Sequence, residues 1–424
     1  MGIYLGLGAN LGDRHANLSR ALRELEARGV RILRTSPVVE SPALLPEHAP
    51  DDWNRPFLNL VAECALDGDA DWLLQQSKAV EAALGRDNPA RWSPRPMDID
   101  VLLFGRDEID TPRLQIPHPG MLERSFVLTP LVALQANLTI PGRGDKSVLE
   151  WSHELEHRMP LWMGIVNLTP DSFSDGGRFT AWPAIEAHVD EMVAAGVHIV
   201  DLGAESTRPG ARPLTAAEEL GRLLPVLERL TDKFAGQRLK PLISVDTYHA
   251  EVARAALELD VDIVNDVGGL MDPAMLELAA SSRADWVAMH QLTLPADPKQ
   301  TLPRDEDPAI QLERWLEARL ESWQRSGIAR HRVVFDPGIG FGKTALQSLQ
   351  LLRSQARFRR YGLRQLIGHS RKSFLAGLAG SDMMARDLNT IGISLQLAGR
   401  GVDILRVHNV PAHAAAYRGW VHAL

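Results

Sequence analysis

The second half of the chain alternates short apolar runs with polar loops and amphipathic helical segments, and this cycle repeats from residue 161 onward. Short continuous apolar runs bounded by turn residues are typical of buried parallel strands. Eight strand–helix units over about 260 residues match a (β/α)8 barrel, and a doubly wound sheet is the alternative. The predicted strands are residues 161–166, 199–202, 242–245, 263–264, 286–289, 333–335, 365–367 and 404–407.

The first half follows a different pattern, in which period-two alternation predicts strands and helical spacing predicts two helices. The order strand, helix, strand, strand, helix, strand favours a small α+β domain of the ferredoxin-like type. A glycine-containing and then polar stretch at 142–160 predicts a boundary, so we expect one domain over 1–157 and a second over 158–424. The predicted elements are residues 3–7, 18–28, 31–40, 57–66, 72–84 and 98–104.

Polar side chains follow the predicted barrel strands at the point where each strand ends. In a barrel these ends converge on one mouth, where barrel active sites lie. Loops commonly begin with polar residues, which explains a few of these positions but not the whole ring. We therefore expect one site at the mouth. The ring contains Asn167 and Asp171, then Glu205, Thr207 and Arg208, then Asp246, Asn265, Asp266, His290 and Asp336, and finally Ser370, Arg371, Lys372, Arg406 and His408.

Composition limits the classes of ligand and compartment. The 424 residues carry 46 basic and 54 acidic side chains, and the formal charge of −8 argues against coating of nucleic acid or anionic membrane. No apolar run reaches the length of a membrane span, and the N-terminus is typical of a strand rather than of a targeting signal. One cysteine, Cys64, cannot form an internal disulfide. We expect a cytoplasmic protein with small-molecule ligands.

Asp98 and Asp100 stand two residues apart in the last predicted strand of the first half. Side chains two apart share a strand face, and like charges that close repel unless a cation lies between them. Such a pair suits Mg²⁺, which binds carboxylates together with phosphate oxygens. Arg91 and Arg95, just before the strand, would neutralise phosphate charge. The alternative is that the acids are simply salt-bridged to these arginines.

The first half resembles 6-hydroxymethyl-7,8-dihydropterin pyrophosphokinases over nearly its whole length. The motifs that carry the resemblance are residues 8–10, 57–59, 81–86, 91–100, 116–118 and 124–126. The resemblance implies binding of ATP and two Mg²⁺ ions, attack of the pterin hydroxymethyl oxygen on the β-phosphorus, and release of AMP. Phe57 stands where a tyrosine is common, and Lys78 replaces a frequent glutamine.

The same resemblance implies a role for each residue of these motifs by its position. The pterin would be held by its edge and its two faces, and the nucleotide by basic and polar groups. The implied roles are metal binding for Asp98 and Asp100, stabilisation of the transferring group for Arg86 and Arg95, nucleotide binding for Glu81, Arg91, His118 and Arg124, pterin binding for Asn59, Phe57 and Phe126, and a closing flap for Trp92.

The second half resembles dihydropteroate synthases over essentially its full length. Seven ordered motifs carry this resemblance, at residues 164–177, 205–211, 244–247, 265–266, 336–343, 370–373 and 406–408. The resemblance implies condensation of a pterin diphosphate with 4-aminobenzoate, which releases diphosphate. His369 and Asn409 depart from the family, which usually has a small or apolar residue and an aspartate there, and the loop at 289–295 lacks the familiar glycine-asparagine pair.

The resemblance also implies roles for residues of the barrel, and the chemistry of the two substrates suits those residue types. A pterin edge of donors and acceptors needs carboxylates and amides once it is buried, and a departing diphosphate needs cations and donors. The implied roles are pterin binding for Asp246, Asn265, Asp336 and Lys372, diphosphate binding for Arg406, His408 and a Mg²⁺ near Asn167, and 4-aminobenzoate binding for Thr207, Arg208, Phe341 and Ser370, with Lys372, Arg406 and His408 as the catalytic members.

The sequence therefore predicts a bifunctional folate-synthesis enzyme that uses ATP and Mg²⁺. We also expect a homodimer through the barrel, because residues 391–399 form an apolar, small-residue face, although a buried core helix explains that pattern nearly as well. Rival enzymes are a pterin-binding methyltransferase for the barrel and a nucleotidyl-transfer domain for the first half. From another class, one half alone is active and the other is a degenerate domain for ligand sensing or assembly.

Overall fold

The computed structural model of the protein describes residues 2–86, 92–168, 182–205, 212–297, 299–375, 377, 380 and 382–423. The chain divides into two compact units by proximity of its Cα atoms. Unit one comprises Met1–Met159, Gly236–Lys240 and Val421–Leu424, and unit two comprises Pro160–Ala235 and Pro241–Trp420. The predicted second domain differs from unit two at its ends and at 236–240, because spatial contacts and not chain order define the units.

Unit one is an antiparallel sheet covered by helices, as the ferredoxin-like prediction requires. Its strands run in the order β2–β4–β1–β5, and β3 also pairs with β4. The elements are β1 (Ile3–Ala9), α1 (Arg14–Ala27), β2 (Arg31–Thr35), β3 (Val39–Ser41), β4 (Phe57–Ala65), α2 (Ala70–Ala83), β5 (Asp98–Phe104), β6 (Ile109–Asp110), β7 (Gln115–Ile116), α3 (Ser125–Gln135) and α4 (Val148–Ser152).

The strand predicted at 31–40 is wrong in one respect, since it consists of two strands, β2 and β3, separated at 36–38. Pro37 has no backbone N–H to donate to a neighbouring strand. Beside it, the Val61 amide of β4 donates to the hydroxyl oxygen of Ser36 at 3.0 Å rather than to a backbone carbonyl. The side chain therefore satisfies β4 where the regular ladder is interrupted.

Alternate residues of this sheet enter two cores, one on each face. Leu5 and Leu7 of β1 pack with the apolar side of α1, including Leu22, and are essentially inaccessible to water. Tyr4 and Leu102 face the other way and pack with α3 and α4. Because side chains of a strand alternate between faces, the central strand is covered on both sides, which gives the neighbouring site a rigid frame.

Unit two is a closed barrel of eight parallel strands within the described part of the chain, as predicted, and closure excludes the doubly wound alternative. Its strands are β8 (Leu161–Asn167), β9 (Ile199–Gly203), β10 (Leu242–Asp246), β11 (Ile263–Asp266), β12 (Asp285–Met289), β13 (Val333–Asp336), β14 (Arg364–Ile367) and β15 (Ile404–Val407). Its helices are α5 (Trp182–Ala194), α6 (Ala216–Phe234), α7 (Ala250–Glu258), α8 (Pro273–Ser281), α9 (Pro308–Arg325), α10 (Ala345–Ser354), α11 (Met383–Gly399) and α12 (Val410–His422).

Several strands continue past their predicted ends to include the polar residue that follows. Asn167, Asp246, Asn265 and Asp336 each belong to a strand rather than to a loop. A side chain on a hydrogen-bonded strand is held more precisely than one on a loop. None of the helices in the described residues has the length and apolar character needed to cross a bilayer.

Candidate active sites

Unit one contains a cavity of about 300 Å³ at the edge of β5. It gathers most of the residues predicted for metal, nucleotide and pterin. The predicted residues that line it are Phe57, Asn59, Arg86, Trp92, Arg95, Asp98, Asp100, His118, Arg124 and Phe126. Arg91 lies outside the described residues.

The two aspartates of β5 both line this cavity, which is the common strand face that the sequence predicts. Across β1 they stand opposite glycines, Asp98 beside Gly8 and Asp100 beside Gly6. The side chains remain 27% and 36% exposed, respectively. Two oxygen ligands that are close together and reachable from solvent fit a hard cation such as Mg²⁺.

Arginines hold one of the two carboxylates. The Arg86 guanidinium donates to Asp98 Oδ1 at 2.6 Å, and Arg95 donates to Asp98 Oδ2 at 3.3 Å. The salt-bridged alternative is thus realised for Asp98, while Asp100 lies 3.8 Å from His118 Nε2, a contact that is an ion pair only when the imidazole is protonated. A polyphosphate entering the cavity would meet the same guanidinium groups, so the ion pairs and a ligand would compete for them.

Burial and neighbouring charge shift two titrating groups of the cavity. Burial, and then the charge of Asp98, raises the pKa of Asp100 to about 6, against the attraction of Lys78 and Arg124. Burial, and then Arg124, lowers the pKa of His118 to about 4. At neutral pH Asp100 is therefore ionised and His118 is neutral. Binding of a cation beside the two aspartates is therefore favourable, and the His118 imidazole can form hydrogen bonds.

The other end of the cavity is suited to a flat heterocycle. Asn59 is buried on β4 and donates to Ser41 Oγ at 3.0 Å. A Cβ at Gly8 would lie 3.1 Å from Asn59 Oδ1 and 3.4 Å from a ring carbon of Phe57. Glycine therefore permits these two side chains to lie against β1, where the amide can present its edge to a ligand.

Glu81, which is predicted to bind the nucleotide, is not among the residues that line the unit-one cavity. Glu81 is buried behind the cavity wall. Its Oε1 accepts from the Ile99 amide and from Lys78, both at 2.8 Å, and its Oε2 pairs with Arg86 at 2.8 Å. The carboxylate is thus fully engaged by the protein and orients Arg86, while Lys78 is the neighbour that lines the cavity.

At the barrel mouth, Arg406 of β15 joins its own strand to two others through two ion pairs. Its Nε donates to Asp201 Oδ2 on β9 and its Nη2 to Asp246 Oδ2 on β10, both at 2.6 Å. Asn265 on β11 donates to the same Asp201 oxygen at 3.4 Å. Arg406 is therefore linked directly to Asp246, and through Asp201 to Asn265.

Asp336 and Lys372 complete this group around Gly368. A Cβ at Gly368 would lie 3.7 Å from Asp336 Oδ2, 3.9 Å from Arg406 Cδ and 3.9 Å from Lys372 Nζ. The Lys372 ammonium donates to the Ile339 carbonyl at 2.5 Å and lies 4.6 Å from the centre of the Phe341 ring. The absence of a side chain at 368 leaves the space in which these groups meet.

Burial brings the pKa values of two of these groups close to neutral pH. It raises the pKa of Asp246 to about 7, with Arg406 opposing and Asp201 adding to the rise. It lowers the pKa of Lys372 to about 8, with Asp336 opposing. Groups with perturbed pKa values in a cleft are typical of proton transfer and ligand binding.

The outer part of the mouth contains donors suited to an anion. His408 Nδ1 lies 2.9 Å from Ser370 Oγ, which also accepts from the His408 amide at 3.3 Å. Asn167 ends β8 opposite Gly203, and a Cβ at Gly203 would lie 3.4 Å from Asp246 Cβ. The amide oxygen of Asn167 is a ligand of the kind that Mg²⁺ binds. Thr207 and Arg208 lie outside the described residues.

Two members of the predicted ring serve the fold. The oxygens of Asp266 accept from the amides of Gly268 at 2.6 Å and Leu270 at 2.8 Å, which fixes a turn. His290 Nδ1 lies 2.8 Å from the buried Lys343 ammonium. Position at a strand end does not determine whether a side chain faces a ligand or its own loop.

Comparison with known proteins identifies both halves. Residues 4–136 match the model of 7,8-dihydro-6-hydroxymethylpterin-pyrophosphokinase, and residues 163–408 match that of pterin binding enzymes. The folate synthesis bifunctional protein of Chlamydia muridarum is 39% identical, with 98% of each chain covered. A mitochondrial counterpart in Arabidopsis thaliana is 35% identical, over 98% of this chain and 81% of its own. This chain belongs to the folate synthesis bifunctional proteins.

Solved structures match the barrel of this family member. Dihydropteroate synthase of Xanthomonas albilineans with 4-aminobenzoic acid is 38% identical with a TM-score of 0.56, over 62% of this chain and 93% of its own. That of Anaplasma phagocytophilum, with bound 6-hydroxymethylpterin-monophosphate, is 35% identical with a TM-score of 0.57, over 62% and 99%.

One residue central to the barrel network was missed from the sequence. Asp201 lies within a buried apolar strand and is 0% exposed, yet it binds both Arg406 and Asn265. The available signal was a single acid inside the run at 199–203. Such an acid requires a partner in the interior.

Proposed function

We propose that the chain catalyses two consecutive steps of folate synthesis. Unit one transfers diphosphate from ATP to 6-hydroxymethyl-7,8-dihydropterin. Unit two condenses the resulting pterin diphosphate with 4-aminobenzoate to give 7,8-dihydropteroate and diphosphate. The observation that carries this proposal is that each unit gathers its own set of predicted polar groups in one place, around the β5 cavity and around Gly368.

In unit one, the cavity orders the reactants by charge and shape. Phe57 and Phe126 enclose the pterin ring, and Asn59 binds its edge. Arg86 and Arg95 leave Asp98 to neutralise the transferring phosphates, which lowers the barrier to attack by the hydroxymethyl oxygen. Mg²⁺ held by the two aspartates would supply further neutralisation of the polyphosphate.

In unit two, Asp246, Asn265 and Asp336 match the donors and acceptors of the buried pterin. Arg406 and His408 stabilise the negative charge that develops on the departing diphosphate. Lys372, whose pKa burial lowers to about 8, donates a hydrogen bond to the bound ring. The amine of 4-aminobenzoate then attacks the electron-poor methylene carbon. A Mg²⁺ near Asn167 would neutralise part of the diphosphate charge.

We also propose that the protein is a cytoplasmic homodimer that associates through α11. The helix exposes Met384 and Leu388, which are 74% and 64% accessible and lie four residues apart on one face. Within the predicted segment 391–399, Leu397 and Ala398 are buried, so that part of the helix supports the core. Light scattering should show a dimer, and Leu388→Glu should weaken it. A wild-type monomer would refute this part of the proposal.

The decisive experiment supplies ATP, hydroxymethyl-dihydropterin and 4-aminobenzoate and detects dihydropteroate by mass spectrometry. Asp98→Ala should abolish AMP release while keeping condensation of added pterin diphosphate, and Lys372→Ala should do the reverse. If wild type performs only one reaction, the reading with a degenerate half is correct. If either folded variant loses both reactions, the division of labour is wrong.

A further inference from the structure

The loops that follow β14 and β15 meet at one carboxylate on α11, that of Asp387. After β14, Arg371 donates to Asp387 through Nε at 2.6 Å and Nη2 at 2.8 Å, a two-pronged ion pair. After β15, Asn409 Nδ2 donates to Asp387 Oδ2 at 3.3 Å. Lys372 and His408 are the immediate neighbours of Arg371 and Asn409, so Asp387 contacts the loops directly beside two catalytic residues.

The β14 loop has a conformation that requires such support. Arg371 has a φ of 58°, in the left-handed region that a non-glycine residue rarely adopts. Its backbone amide donates to Thr390 Oγ1 at 3.3 Å, one turn along α11 from Asp387. Two residues before Arg371, His369 Nε2 lies 2.9 Å from Ser394 Oγ, another turn along the same helix. Three residues of one helix face thus hold the loop in place.

The side chain at position 409 determines whether it attracts or repels this carboxylate. The Asn409 amide is a donor to Asp387, whereas a second carboxylate at the same 3.3 Å separation would repel it. Among the described residues, the carboxylate that pairs with Arg371 is that of Asp387 on α11.

We propose that Asp387 is a positioning residue for the condensation reaction, acting through Arg371 and Asn409 to fix Lys372 relative to the Ser370–His408 pair. The proposal rests on the proposed function of unit two. Without the carboxylate, Arg371 leaves its left-handed backbone conformation, and the Lys372 ammonium moves out of its position beside Gly368. Small displacements of positioned groups have large kinetic effects, since a shift of about 1 Å can cost about 100-fold.

The test measures condensation of pterin diphosphate with 4-aminobenzoate by full-length Asp387→Asn, Asn409→Asp and the double variant. We expect kcat of Asp387→Asn to fall about 10- to 100-fold, with AMP release by unit one unchanged. The double variant returns a carboxylate to the reach of Arg371 and should recover most of kcat. Asn409→Asp alone places two acids together and should be slower than wild type.

The matched control is Asp382→Asn, the same acid-to-amide change at the N-cap of α11, where Asp382 accepts from the Met384 amide and asparagine caps equally well. It should keep wild-type kcat. Wild-type kcat in Asp387→Asn overturns the proposal, as does a folded double variant that stays as slow as Asp387→Asn. If wild type itself fails to condense the substrates, the proposed function fails instead.

Discussion

Replacement of Asp201 by asparagine isolates the contribution of a residue that binds no predicted substrate directly. The change keeps the shape of the side chain and removes its charge. Asp201 Oδ2 accepts from Arg406 Nε at 2.6 Å and from Asn265 at 3.4 Å. Its Oδ1 is buried and has no hydrogen-bond partner among the described residues, so the new amide would place either a donor against donors or an unpaired donor in the interior.

The magnitude follows from the loss of one charge-assisted hydrogen bond while another remains. Arg406 keeps its contact with Asp246 at 2.6 Å, so the guanidinium stays in the barrel with one of its two carboxylate partners. A hydrogen bond to a charged group contributes about 1.5–3 kcal/mol. If this contribution orients Arg406 towards the departing diphosphate, kcat/KM for condensation should fall about 10- to 150-fold.

The same change has a pH signature with a defined sign. Burial raises the pKa of Asp246 to about 7, and the charge of Asp201 adds to this rise. Ionised Asp246 is the form that accepts hydrogen bonds from a pterin edge, so the wild-type rate should fall as pH drops through about 7. In Asp201→Asn the like charge is absent and the pKa of Asp246 falls. The acid limb should therefore move to lower pH.

The assay follows dihydropteroate formation from supplied pterin diphosphate across the pH range, with AMP release by unit one as internal control. Asp285→Asn is the matched variant. Asp285 and Arg364 begin β12 and β14, at the strand ends away from the barrel mouth, and they pair at 2.8 Å. It should affect stability and leave the pH profile unchanged. Condensation by Asp201→Asn within twofold of wild type, or an acid limb that stays in place, would refute the reasoning.

Other predictions concern unit one. Gly8→Ala puts a methyl group 3.1 Å from Asn59 Oδ1, so KM for the pterin should rise about tenfold with KM for ATP unchanged; equal changes in both would contradict the assignment. Because the pKa of Asp100 is raised to about 6, diphosphate transfer should decline below that pH, and added Mg²⁺ should restore part of the rate; a decline insensitive to Mg²⁺ argues against metal binding there. Burial raises the pKa of the Cys64 thiol to about 12, so mass spectrometry should detect alkylation only after unfolding.

Hydrophobic patterning was sufficient to predict the barrel and the small sheet. The barrel strands are buried on both faces, so each reads as an apolar run, and their polar ends coincide with motif residues such as Asp246 and Asp336. The break between β2 and β3 was missed because a serine side chain replaces a backbone partner there. That substitution depends on the neighbouring strand and not on the local pattern.

Hydrophobic patterning could not predict contacts between elements that are distant in sequence. Asp201 and Arg406 are 205 residues apart, and only barrel closure brings them together. The pairing of Asp387 with Arg371 depends on how α11 packs behind the β14 loop. The motif predicts that Glu81 binds the nucleotide, and in the structure its carboxylate pairs with Arg86. Motifs identify which residues take part, whereas packing decides which of them face the ligand.

Local charge explains how one chain with a net charge of −8 handles both an anionic nucleotide and a neutral pterin. Among the described residues, the unit-one cavity is lined by four basic side chains and two acidic ones, namely Lys78, Arg86, Arg95, Arg124, Asp98 and Asp100. Its excess of positive charge attracts a polyphosphate. Around Gly368 the balance is reversed, with Asp201, Asp246 and Asp336 against Lys372 and Arg406. Carboxylates in excess suit the donor-rich edge of a pterin, and the charge of Arg406 opposes the rise that burial gives to the pKa of Asp246. The two sites therefore differ in local charge, which the overall composition conceals.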